Sequence, residues 1–249
     1  MSVSVAPDAS QALEITVFCS GACYAVMEDL ASSYETMSGN KVNLVSASSM
    51  GSSPTAIPTR LQQGEYADLL IMAGSELDNL IAKGLARTGS RVDLVRSQIG
   101  MVVKAGSLKP NISTKEAFEQ VLMGAKSIGY SASASGKYLA KDGFAKLGSP
   151  RYEQVMAKAT EVVKDRVGTW VARGDLEIGF QQVSELLPIS GTDYVGTIPE
   201  PYQQVTIFSA GIAMRSQHVA AARELINFLA SGAASSTIKK WGMVPAHEM

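Results

Sequence analysis

The chain has 249 residues, with 22 Lys plus Arg against 23 Asp plus Glu and a formal net charge of −1. That length fits one large domain or two lobes, and the charge balance excludes a polybasic nucleic-acid or membrane-surface protein, whose affinity needs clustered positive charge. A composition of 46% hydrophobic and 18% charged residues builds a packed core, while two Cys and two His exclude a disulfide scaffold, a four-Cys zinc site and a His-rich catalytic metal.

Met1 to Leu13 is rich in Ser, Ala and Pro and reads as a flexible lead-in. Ile15–Cys19 is a short β-branched, apolar strand, followed by a Ser20–Gly21 turn. Ala22 to about Met37 is an amphipathic helix with Val26, Leu30 and Tyr34 on one face. Lys41–Ser46 is a second strand, Ser48–Pro54 a polar turn, and Thr55–Gly64 a helix stopped by its glycine. Asp68–Ala73 is a third strand and Glu76–Lys83 a third helix. Strand alternating with helix predicts an α/β fold of mixed, mostly parallel sheets with helices on both faces.

The pattern restarts after about Gly106. Ile99–Lys104 reads as a strand, Thr114–Met123 as a helix, Ser127–Tyr130 as a strand and Gly136–Leu147 as a helix. Val167–Arg173 is helical, Glu177–Phe180 a strand, Gln204–Met214 a long strand and Val219–Ala230 an amphipathic helix. The expected organisation is one lobe over 14–102 plus 206–249 and a second over 103–205, joined by two crossings near 100–106 and 203–209. A cleft between two such lobes is a favoured ligand position.

No apolar run, including Ala67–Ala73 and Ile207–Met214, approaches the roughly 18–20 residues of a bilayer span. No positive stretch leads into an apolar one at the N-terminus, so no signal peptide is expected in the sequence as written. That places it in the cytoplasm, or in the periplasm if the sequence is a mature form.

Ligands of such sheets bind beyond the carboxyl ends of the strands, against helix N-termini. Four Ser- or Gly-bearing turns fall at that position: Cys19–Ala22, Ser46–Ser53, Tyr130–Gly136 and Asp165–Gly168. Free first-turn N–H groups, glycines that admit close approach and uncharged hydroxyl donors suit an anion. The candidate binding residues are Ser20, Gly21, Ser48, Ser49, Met50, Gly51, Ser52, Ser133, Ser135, Val167 and Gln182, with Arg60 and Arg166 as cations. Plain helix capping by the serines is the competing explanation. Gln181 and Ser184 beside the late strand are further polar candidates. Cys19 and Cys23 read as buried small side chains, and His218 and His247 as surface residues. No phosphate loop, dinucleotide fingerprint, zinc-protease helix or nucleophile elbow is present.

The segments ITVFCSGACYAVMEDLASSYE, YADLLIMAGSELDNLIAKGL, SGKYLAKDGFAKLG, GDLEIGF and TIKKWGM, in this order from about Glu14 to Pro245, resemble the type II periplasmic substrate-binding proteins of the molybdate-binding kind. That resemblance implies two α/β lobes, two hinge crossings and an anion held between helix N-termini. It carries Ala22 where molybdate binders place a ligand Ser, and Gln182 where they place a Tyr. The runs SMGSSPTAIPTRL, IGMVVKAGSLKPNIST and GFQQVSELLP resemble a branch similar to a bacterial aconitate isomerase. This second resemblance implies a small polycarboxylate ligand and a 1,3-proton shift that needs no cofactor. Arg60, Arg166 and the serine turns would clamp carboxylates and hold the developing charge. Glu185, Tyr130 and Lys137 are the candidate bases. The alternatives are a non-catalytic solute-binding partner of an ABC-type permease for an organic anion, and molybdate or tungstate binding. A monomer is expected, without nucleic-acid or membrane partners.

Overall fold

The computed structural model describes residues 12–51, 53–163 and 165–248. Ser52 and the lead-in up to residue 11 lie outside the described residues.

The chain first builds β1 (Glu14–Ser20), α1 (Gly21–Ser38), β2 (Lys41–Ala47), α2 (Ile57–Gln62), β3 (Leu69–Ala73), α3 (Gly74–Ala82) and β4 (Val92–Ser97). It then builds β5 (Ile99–Lys104), α4 (Lys115–Gly124), β6 (Ile128–Ser131), α5 (Ala134–Tyr138), α6 (Arg151–Met156), β7 (Ala159–Val162), α7 (Val167–Arg173), β8 (Ile178–Gln182), α8 (Val183–Leu186) and β9 (Thr192–Thr197). It closes with β10 (Thr206–Ile212), α9 (Val219–Leu229), α10 (Ser235–Lys240) and the short β11 (Val244–Pro245). The first sheet runs β11-β4-β10-β3-β1-β2 and the second β7-β6-β8-β5-β9.

Both sheets are mixed. β1 pairs in parallel with β2 and β3, and β6 with β7 and β8. β10 is antiparallel to β3 and β4, and β5 antiparallel to β8 and β9. Two of the reversed strands, β5 and β10, are those that the chain enters on arriving from the other sheet; the third is the short β11, antiparallel to β4. β4 and β9 both end at the interlobe edge, so the strand that follows each must start there and run away from it. This makes the sheets less parallel than strand–helix alternation predicts.

The first crossing is Gln98 alone and the second spans 198–205. The boundary expected between 102 and 103 therefore falls inside β5, which pairs wholly within the second sheet. Gln203 ties the crossings together. Its Oε1 accepts from the Ile99 N–H at 2.8 Å, and its Nε2 donates to the Ile99 and Ile198 carbonyls at 3.0 Å each.

Each sheet is covered on both faces. In the first, Ile15, Val17, Leu69 and Ile71 pack with α1 and α9, while Phe18, Leu70 and Met72 pack with Ile57, Leu77 and Leu80 from α2 and α3. In the second, Met101, Ile128, Ile178 and Phe180 meet Phe118, Phe144 and Tyr202 on one side. Val102 meets Val167 and Val171 on the other. Glycine sets the position of α7: a Cβ at Gly129 would lie 2.9 Å from Val167 Cγ1, and one at Gly179 2.6 Å from it. These two bare positions let α7 lie directly on the sheet, with its first turn at the interlobe edge.

The helix expected over Gly136–Leu147 is three pieces: α5, a wide π turn over Leu139–Gly143 and a tight 3₁₀ turn over Phe144–Leu147. Leu139 and Phe144 are both fully buried although five residues apart. A π turn faces that spacing inward, whereas an α-helix would not.

Candidate functional site

The carboxyl ends of β1, β2, β3, β6 and β8 converge on a cleft between the sheets. Its central cavity, about 360 Å³, is lined by Ser20, Gly21, Ala22, Ser46 to Met50, Thr55 and Ala73 from the first lobe, and by Ser133 to Ser135, Gln182 and Glu185 from the second. Thr206 and Phe208 of β10 complete the wall. Two outer chambers, about 570 Å³ each, open beside it. One carries Arg166, Asp165, Lys137 and Gln181, and shares Ser48, Met50, Thr55, Ser133 and Glu185 with the centre. Met50 borders all three spaces. Its apolar, flexible side chain stands where they join.

The hydroxyls do more than cap helices. Ser20 precedes α1 and Ser133 precedes α5, yet neither side chain caps a backbone N–H of its helix. The α1 first turn therefore keeps its N–H groups for the cavity, and Ser20 Oγ is not used up in capping. Ser131, Ser133 and Ser135 form a chain of hydroxyls, 2.7 and 3.3 Å apart. Ser49 Oγ accepts from the Ala73 N–H at 3.1 Å, which leaves its own proton to give. Ser48 Oγ donates to the Met50 carbonyl at 2.8 Å and closes its turn. Gly51 lines the outer chamber with φ +98°.

Gln182 borders the cavity but is already committed. Its Oε1 accepts from Ser97 Oγ at 2.6 Å, and its Nε2 donates to Thr206 Oγ1 at 3.2 Å. It joins β8 of the second lobe to both strands at the crossings. Ser184 Oγ donates to the Ala22 carbonyl at 2.6 Å, so α8 is tethered to α1 across the lobes.

That tether sets the position of Glu185. The side chain is half-buried and reaches the cavity, and its Oε1 lies 3.4 Å from where a Gly21 Cβ would stand. Burial pushes its carboxyl up to about 7, against the smaller opposing effects of the Arg166 charge and a hydrogen bond from Gln181. Beside it, Cys23 is fully buried and its thiol is pushed well up, first by burial and then by the charges of Cys19 and Glu185. The thiol therefore stays protonated and apolar in character.

The cations divide. Arg166 is half-buried in the outer chamber and Lys137 is exposed there. Neither forms an ion pair among the described residues. Arg60 does not reach the cleft. Its guanidinium pairs with Glu65 at 2.7 Å and lies 5.3 Å from the centre of the Phe18 ring, on the far face of the sheet. A site on the last turn of α2 points it away from the strand ends.

Two other expected residues also lie elsewhere. Tyr130 borders none of the three spaces; burial, with Glu161 and Tyr152 nearby, raises its phenol. Val167 is fully buried in the core, and its N–H is taken by Gln181 Oε1 at 2.9 Å. Conversely, Thr55, Thr206 and Phe208 line the cavity without having been expected there. Thr206 and Phe208 had one available signal: they begin a strand that returns from the other lobe, and so start at the cleft.

Two mixed α/β lobes, two crossings and a polar cleft between helix N-termini define a binding protein of the type II periplasmic architecture. The chain belongs to the family of bacterial extracellular solute-binding proteins, whose pattern matches residues 15–244, and it therefore takes a small solute. An aconitate isomerase of a Pseudomonas species is 43% identical over 231 residues, covering 93% of this chain and 87% of that protein. The periplasmic molybdate-binding protein of Azotobacter vinelandii has the same fold, with a TM-score of 0.71, 20% identity and coverage of 92% and 98% of the two chains. Peb3 of Campylobacter jejuni superposes with a TM-score of 0.68 at 15% identity, over 92% of this chain and 99% of its own.

Proposed function

We propose that the protein binds a small polycarboxylate in the cleft and isomerises it by a cofactor-free 1,3-proton shift, converting cis- and trans-aconitate. The observation that carries this reading is Glu185: a half-buried carboxyl, raised to about 7, facing a cleft whose outer chamber carries Arg166 and Lys137, neither in an ion pair among the described residues. A base works best with a pKa near the working pH, and an ordinary exposed carboxylate is too weak. The 43% identity to an aconitate isomerase supports the same chemistry.

In this mechanism Arg166 and Lys137 clamp substrate carboxylates from the outer chamber. The Glu185 carboxylate takes a proton from the methylene carbon. The electron pair left behind moves into the allylic system, and the extra negative charge spreads onto the adjoining carboxylate. Arg166 and the first-turn N–H groups of α1 stabilise that charge. The Glu185 acid then protonates the other end of the allylic unit, so the double bond has moved and the base is restored. No redox step is involved.

The second reading is a non-catalytic solute-binding component that delivers an organic anion to an ABC-type permease. Family membership supports it. Molybdate or tungstate is less favoured, since Ala22 offers no hydroxyl and Gln182 is engaged by Ser97 and Thr206. Incubation with cis-aconitate in D2O, followed by proton NMR, separates the readings. The isomerase reading expects trans-aconitate to appear and deuterium to enter the shifted position. Binding without turnover or exchange would leave the solute-binding reading standing.

A further inference from the structure

We propose that Thr206 is a ligand-binding residue, whose hydroxyl donates to a ligand carboxylate from the hinge side of the central cavity. This deepens, and rests on, the reading of the ligand as a polycarboxylate. Thr206 opens β10, just past the second crossing. It is the cross-strand partner of Ser97, the last residue of β4 before the first crossing. Gln182, the last residue of β8, reaches from the second lobe to both. Ser97 Oγ donates to Gln182 Oε1 at 2.6 Å, and Gln182 Nε2 donates to Thr206 Oγ1 at 3.2 Å.

A threonine hydroxyl has one proton to give and two lone pairs. Gln182 occupies a lone pair, so the proton leaves in another direction. No group among the described residues accepts it. The space beside it is the cleft: Thr206 lines both the central cavity and the outer chamber that holds Tyr138 and Gln204. Phe208, two residues on and so on the same face of the strand, also lines the central cavity, whereas Ile207 between them does not. The Thr206 side chain therefore faces the ligand space. It is half-buried, where a donor without a partner costs free energy. A carboxylate oxygen, which only accepts, is its complement. At the crossing, Thr206 keeps its place when the lobes rotate. Its bond to the ligand thus forms in the open state, before Arg166 and Lys137 close in.

Calorimetric titration with tricarballylate, a saturated tricarboxylate with no double bond to shift, keeps turnover out of the measurement. Thr206→Val keeps the β-branched shape and should raise the dissociation constant about tenfold. Thr206→Ser, which keeps the hydroxyl, should retain most of the affinity. A loss caused only by the orphaned Gln182 amide would vanish in a Gln182→Leu background; there too Thr206→Val should weaken binding. Parent-like affinity in a folded Thr206→Val protein overturns the proposal, and so does no further loss in the Gln182→Leu background. A neutron structure of the ligand-free protein in D2O tests the proton itself and does not depend on the variants folding. The deuterium on Thr206 Oγ1 should point into the cavity; deuterium pointing at the Gln182 side chain overturns the proposal. If the parent protein binds no tricarballylate, the polycarboxylate reading fails and the assignment of Thr206 with it. Tight binding by the parent that Thr206→Val leaves unchanged defeats the assignment alone.

Discussion

Glu185 is where stability and proposed chemistry pull in opposite directions. Burial raises its carboxyl from 4.5 to about 7, so the native state holds a proton that the unfolded chain has already released. Native stability is full below about pH 4.5, falls as pH rises to about 7 and then levels off. The total is on the order of 3 kcal/mol. Glu185→Gln should match the parent protein at pH 4 and exceed it by up to that amount at pH 8, read from urea midpoints at both pH values. The same variant should lose about 10²–10⁴-fold in kcat, the range for a general base. In the parent, kcat/KM should fall tenfold per pH unit below about 7, where the base is protonated. Stabilisation without loss of turnover would separate the buried carboxyl from the reaction. The cations give a paired contrast. Arg166→Gln should weaken ligand binding about tenfold, or about 1.4 kcal/mol. Arg60→Ala should leave the dissociation constant unchanged in the same calorimetric titration, because Glu65 and Phe18 already occupy its side chain. Arg60 shows how far sequence reading reaches at this scale: an Arg shortly after a serine turn looks like a ligand clamp, and only the facing of a short helix shows otherwise.

At the scale of elements, long apolar strands and periodic helices were legible. β1, β3, α1, α7 and α9 follow the sequence expectation to within a few residues, since both sheet faces demand continuous apolar runs. The strands that escaped notice are the two-residue β11 and β4, β7 and β9, which carry charged or half-exposed residues. Partners in the sheet hold them in place, and their own pattern does not. The serine turns were legible as cleft loops because strand ends facing helix starts follow from the alternation itself. Val167 was misassigned because a helix-opening N–H can be met by a buried glutamine instead of a ligand. α5 offers an element-scale test. A Cβ at Gly136 would sit 1.8 Å from the Ser131 carbonyl oxygen, so only glycine lets α5 lie against the end of β6. Gly136→Ala should cost about 3 kcal/mol. It should also weaken ligand binding, since α5 carries Ser135 and Lys137 and is preceded by Ser133. Thermal melts and titration of the variant check both. A wild-type melting temperature would mean that α5 is not held against β6 as described.

For the whole molecule, the two lobes meet through the crossings, the Gln182 bridge to Ser97 and Thr206, the Ser184–Ala22 tether, and the packing of Val183 and Leu187 of α8 against Gly242. Sequence alternation implied two lobes, but it placed the first crossing too late, because β5 runs on from β4 with a single residue between them. Crossings this short permit hinge closure, and the cations on the second lobe, without ion pairs among the described residues, supply a reason for it: an anion bound to the α1 end of the cleft draws Arg166 and Lys137 toward it. A ligand that engages both lobes stabilises the closed, folded form by mass action. At one hundred times its dissociation constant the gain is about 2.7 kcal/mol, which for a chain of this size raises the melting temperature by roughly 5–10 °C. cis-Aconitate, with three carboxylates to divide between the helix N-termini and the cations, should give this shift together with a smaller radius of gyration in X-ray scattering. Molybdate at the same concentration should give neither, because a compact dianion reaches one set of donors and leaves the outer chamber unfilled. Equal shifts and equal compaction by the two ligands would show that the cleft recognises negative charge alone. That result would remove the argument from the outer-chamber cations for a polycarboxylate and return the choice of ligand to an open comparison of small anions.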